Sequence, residues 1–229
     1  VRPMPFSPWM VMFQAVLAAC LCACAPQEPA KRLVGVNARA LAALAPKTIA
    51  QATNPTNDLF FRDFDKIVVS ALISPIGGAA WSHSHSQRLA KDFGVIDPAN
   101  EIGKLLTAEF SKHHKITLQP SQELYAEREI RNHWKADLVL DVRTTTFMLD
   151  FYGSDPNRHR FNYEAQLELY DVRNQKAVAW GDCVVPTRDV KHARTYKELM
   201  ANNAELLKAE YRDLIDYCVR TFSSYVLRI

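Results

Sequence analysis

The sequence predicts a mixed α/β (α+β) domain. Three observations point there: a nearly continuous β-branched run at 66–73, strict apolar/polar alternation over 161–170, and helical spacing of apolar residues after Asp97 and after Thr195. The chain has 229 residues, 48% of them hydrophobic, and a formal net charge of +3. So small a charge, with Lys and Arg scattered, excludes nucleic acid as a partner.

The elements follow in order. The run 66–73 reads as a strand covered on both faces. Pro75, Gly77 and Gly78 end it, and a polar loop follows over 81–93. Asp97 and Pro98 open a helix as N-cap and first helical residue. Ile102, Leu105, Leu106 and Phe110 form its apolar stripe. Lys112, His113 and His114 suit its C-terminal end. A short strand falls at 116–118, and Ser121 caps a second helix with Leu124, Tyr125, Ile130 and Trp134. Residues 136–146 are the clearest strand and run on toward Tyr152. Leu138, Leu140 and Val142 face one way; Asp137, Val139, Asp141 and Arg143 face the other. A turn at 153–157 leads to the half-exposed strand 161–170, and a turn at 171–176 leads to a strand at 177–185. These three strands form an antiparallel meander. Thr195 and Glu198 make a capping box for a long last helix. Its stripe is Leu199, Leu206, Leu207, Leu214, Ile215, Cys218 and Phe222. The expected order is β-α-β-α-β-β-β-α, in one domain over 63–229.

Residues 1–23 read as a signal peptide. No charge occurs between Pro3 and Gln27, and the apolar core is shorter than the about 20 residues of a membrane-spanning helix. The segment closes on Leu17-Ala18-Ala19-Cys20 and Leu21-Cys22-Ala23-Cys24. These endings resemble the lipobox of bacterial lipoproteins. The resemblance implies that Cys24, or alternatively Cys20, carries a diacylglycerol and an amide-linked acyl chain; no other cofactor is expected. It implies an outer-membrane location on the periplasmic face, because neither Cys is followed by Asp. Three acyl chains anchor firmly, at about 0.8 kcal/mol per buried CH₂. Residues 24–62 then read as lipidated N-terminus and tether, spanning on the order of 30 to 35 Å as a coil. The other cysteines, Cys183 and Cys218, form either a disulfide or two separate buried thiols.

Together, the lipobox, the β-α-β-α lead into the 136–142 strand and the meander closed by one helix resemble small envelope lipoproteins. Their domain is like the N-terminal part of TolB. They include auxiliary lipoproteins of ABC-type intermembrane transport systems and lipoprotein activators of peptidoglycan synthases. The likeness covers roughly 63–227. It implies a non-catalytic accessory or assembly factor, held at the membrane and acting on an envelope protein partner.

The candidate sites are few. His83 and His85, with His113 and His114, are the candidates for metal, but zinc needs three or four convergent ligands and the loop is polar. An envelope hydrolase or metal-dependent enzyme using the His83/His85 loop is the alternative function. No Gly-x-Ser-x-Gly occurs, and Gly77-Gly78 lacks phosphate-loop spacing. Asp137 and Asp141 lie about 13 Å apart by strand rise, wider than the roughly 6.5–9.5 Å of an inverting glycosidase pair. Phe147, Phe151, Tyr152 and Phe161, joined by Tyr163, surround the hairpin turn as a candidate partner patch.

Overall fold

A computed structural model describes residues 33–57, 59–61, 86–123 and 134–229. These residues form a mixed α/β structure with a mixed sheet and a long C-terminal helix. The helices are α1 (Ala38–Leu44), α2 (residues 86–93), α3 (Ala99–His114) and α4 (Tyr196–Thr221). The strands are β1 (Thr48–Thr53), β2 (Phe60–Phe61), β3 (Thr117–Leu118), β4 (Gln122–Glu123), β5 (Leu138–Tyr152), β6 (Asp155–Asp171), β7 (Lys176–Val184) and β8 (Arg194–Thr195). The sheet runs β3-β1-β5-β6-β7, with β2, β4 and β8 paired alongside β5, β1 and β6. β1 is parallel to β5, whereas β5, β6 and β7 form the expected antiparallel meander. Among the described residues no helix is long and apolar enough to cross a membrane.

The meander follows from alternation. His159, Phe161, Tyr163, Ala165, Leu167 and Leu169 are all buried along one face of β6. β5 meets them with Leu138, Leu140 and Val142, then with Phe147 and Leu149. The change from even to odd positions comes from a register shift between Thr144 and Thr146. One extra residue there turns the strand over and keeps a single apolar face toward the helices. α3 packs on β1 and β5, and α4 packs on β6 and β7.

Three expectations need correction. The tether assigned to 24–62 is not a tether from residue 33 onward. β1 lies inside the sheet, with Ile49 and Ala50 fully buried. It lacks an apolar run because it buries Gln51, whose side-chain amide donates to the Asn100 carbonyl at 2.7 Å. Next, Leu105 is 44% exposed. Gly103 and Thr107 take the inward positions of α3 instead; the N-cap is Pro98 and not Asp97, whose Oδ1 accepts from the Ala99 amide at 2.9 Å. Last, α4 is not continuous. The Thr195/Glu198 capping box is present, but Asn202, Asn203 and Ala204 have φ of 52°, 59° and 57°. Three left-handed residues reset the rotation of the helix, leaving Leu206 40% exposed and burying Tyr211. The expected strand at 66–73 and the turn after it lie outside the described residues, and the helix expected from Ser121 is corrected as well: Gln122–Glu123 form β4, drawn into parallel pairing with the end of β1, and Trp134 is not helical, with 124–133 outside the described residues. The order of the described elements thus differs from β-α-β-α-β-β-β-α at its start.

Two ties close the structure. Cys183 of β7 and Cys218 of α4 form a disulfide across 35 residues of sequence, and both are fully buried. The segment before α1 lies along β7: Val34 exchanges both backbone hydrogen bonds with Trp180, and the Val36 amide donates to the Val226 carbonyl at 2.7 Å. Gly181 makes this approach possible. A Cβ there would sit 2.6 Å from Val226 Cγ2 and 2.7 Å from Leu33 Cδ2. Gly181→Ala is therefore expected to cost about 1–3 kcal/mol by overpacking, read as a lower urea midpoint. Replacing Cys183 and Cys218 together by Ala should cost about 4 kcal/mol of unfolding free energy from the freed loop, measured the same way.

Candidate functional site

The hairpin end of β5 and β6, the 185–193 segment and α4 enclose a cleft of about 360 Å³. Tyr152 ends β5, and its hydroxyl donates to the Arg188 carbonyl at 2.5 Å. Arg158 donates to the Ala193 carbonyl, and β8 pairs with Arg158 and His159 of β6. These bonds hold the 185–193 segment against the hairpin. The cleft floor is apolar, with Phe161 and Leu214 in it. The wall on α4 presents Glu210, Asp213, Asp216, Tyr217 and Arg220.

The charges are unevenly matched. Arg188 reaches Glu210 through Nη1 and Asp213 through Nη2, each at 3.1 Å. Burial pushes the Glu210 carboxyl up, and Arg188 opposes the shift. Burial likewise raises the Tyr152 hydroxyl, opposed by Arg160. Arg160 lies with its guanidinium carbon 4.7 Å from the centre of the Tyr152 ring, a cation–π contact. Its Nε is buried and donates no hydrogen bond.

The sequence-derived aromatic group divides. Phe147, Tyr152 and Phe161 are 4%, 7% and 7% exposed, and Tyr163 is fully buried. Phe147 stacks on Phe161 and meets Tyr163 edge-on. They form core and cleft floor, not an exposed docking patch; Phe151 is half-buried. The alternation that makes β6 a strand turns these rings inward, which corrects the patch expectation. What sequence reasoning missed is the cleft's charged wall. Arg160, Arg188, Glu210 and Arg220 lie on three separate segments, and no local pattern joins them.

The carboxylates weighed for glycosidic chemistry hold the sheet together. Asp137 accepts from the Lys47 amide at 2.8 Å and from the Thr48 amide and hydroxyl at 3.1 Å. Chiefly the Lys47 amide bond holds its carboxyl below the usual range, with Thr48 and Arg173 adding to it against burial. Asp141 accepts from Asn54 Nδ2 at 2.6 Å and from Arg143 Nε at 2.5 Å. His113 and His114 touch at the end of α3, their ring centres 4.8 Å apart, and His114 packs on Phe110. Burial, then the His113 charge, lowers His114. Among the described residues no three His, Cys, Asp or Glu side chains group as a metal site. His83, His85, Cys20 and Cys24 lie outside them.

No protein family matches this sequence, and no curated protein matches it. Solved structures show weak likenesses. A DUF330 protein from Xanthomonas campestris aligns at TM-score 0.39 and 12% identity, over 86% of this chain and 88% of that one. The PelC dodecamer of Paraburkholderia phytofirmans gives 0.34 and 10%, over 82% and 96%. Lipoprotein GNA1162 of Neisseria meningitidis gives 0.27 and 15%, over 75% and 99%. At these TM-scores the likenesses establish no function for this chain.

A carboxyl whose pKa is raised on folding contributes less stability as pH rises from its unfolded value through its folded one. Removing the opposing charge enlarges that loss. Arg188→Gln should therefore destabilise the protein more at pH 7, with Glu210 ionised, than at pH 4; urea unfolding at both values checks this.

Proposed function

We propose that the protein is an exported lipoprotein, acylated on Cys24 or alternatively Cys20, that acts from the periplasmic face of the outer membrane as a non-catalytic accessory or assembly factor for an envelope protein partner. The observation that carries the reading is the join between the sequence and the fold. A leader with a lipobox ending precedes a domain whose two remaining cysteines are bonded, Cys183 to Cys218. Structural disulfides persist in oxidising compartments and are rare in the cytosol. The Asp137 and Asp141 carboxylates are committed to backbone and side-chain partners within the sheet, which weighs against their use as a general acid and base.

Fractionation tests the reading. The wild-type protein should sediment with outer membranes and release an acylated N-terminal peptide in mass spectrometry. Cys24→Ser should move it to the soluble periplasmic fraction, or Cys20→Ser should do so if that thiol is the modified one. Membrane retention of the double variant, or an unmodified N-terminal peptide, would refute the anchor.

A further inference from the structure

We propose that the edge where the chain enters the domain, carrying Val34, Tyr225 and Arg228, lies against the phospholipid surface. The proposal rests on the acylated-lipoprotein reading and adds which face of the domain meets the bilayer.

The argument begins with the length of chain before the fold. Val34 is already paired to β7, and Leu33 follows Cys24 by only nine positions. Whatever their conformation, nine residue steps span at most about 32 Å. Acylation at Cys20 would raise that limit to about 47 Å. The edge at Leu33 is therefore held within that distance of the bilayer in every orientation. At such confinement, a contact too weak to recruit a protein from solution suffices to orient it.

The surface at that edge suits a headgroup layer. Val34 exchanges backbone bonds with Trp180, and the Val36 amide reaches the Val226 carbonyl, so the entering segment and the C-terminal turn share one edge. A Cβ at Gly35 would sit 2.6 Å from Arg228 Nε and 2.9 Å from the Tyr225 carbonyl oxygen, which sets both residues beside the entering segment. Val34 is 46% exposed, and Tyr225 is the most exposed large hydrophobic side chain among the described residues. Tyrosine favours the membrane–water boundary, where its ring is apolar and its tip is wet. Arg228 is exposed and has no ion pair among the described residues. A lipid phosphate is a bidentate acceptor for such a guanidinium. The aliphatic, aromatic and cationic groups thus match the acyl boundary, the headgroup level and the phosphates of one surface.

The test places the full acylated chain in lipid nanodiscs whose headgroups carry gadolinium, and reads side-chain NMR signals. Leu118, 49% exposed on β3, is the matched control. It lies at the opposite edge of the sheet, five strand spacings or about 24 Å from the entering segment. The Val34 methyl and Tyr225 ring signals should be lost while the Leu118 methyl signals persist. The triple variant Val34→Ser, Tyr225→Ser, Arg228→Gln changes exposed side chains only. It should keep its acyl groups, its membrane association and its unfolding midpoint, while the loss at half-buried Leu33 falls toward that at Leu118. Equal loss at Val34 and Leu118, or undiminished loss at Leu33 in the folded triple variant, would overturn this proposal and leave the anchor standing. Shifts at Val34 that follow the number of chains per disc would assign the edge to a second copy and overturn it too. A mass spectrum without acyl groups would overturn both readings.

Discussion

The structure depends on the parallel pairing of β1 with β5. The register places Ile49 opposite Leu138 and Ala52 opposite Asp141. Carboxylates fix it at both ends: Asp137 gathers the chain entering β1, and Asp141 reaches Asn54 where the chain leaves. Gln51 ties the strand to α3 through Asn100, and Asn100 and Asn54 bond each other in both directions. A slip of one residue would turn Ile49 off the core face and leave several buried polar groups without partners. The meander, α3 and the hairpin that forms the cleft all build outward from this pair.

Legibility in the sequence tracked the form of the signal. β5 and β6 were readable because a two-residue apolar period, sustained over many residues, suits an extended strand with one buried face and does not suit a helix. The last helix announced its start, since Thr195 and Glu198 satisfy each other's backbone in a fixed spacing. β1 was hidden because hydrogen bonding, not apolar character, makes Gln51 fit inside. The break in α4 was hidden too. Asn202 and Asn203 tolerate left-handed backbone, but Ala204 gives no such sign. Buried Ala204 shows the surrounding core fixing a conformation that local preference opposes.

The cleft illustrates the same limit for function. Its aromatic floor was visible as a cluster around one turn, and that proximity suggested a surface. The pleat decides otherwise by sending those rings toward the helices. The polar wall arrives from α4 and from the segment ahead of β8, more than 20 residues downstream of the hairpin in sequence. Only the fold sets Arg160 beside Tyr152 and Arg188 beside Glu210 and Asp213.

The described domain begins and finishes in one place. Val36 is bonded to Val226, and a side chain at Gly35 would collide with Arg228. Entry and exit of the chain are thus adjacent. A reporter fused after Ile229 would emerge beside Leu33, while a circular permutant joining Ile229 to Leu33 would need only a short linker and could open at the 172–175 turn.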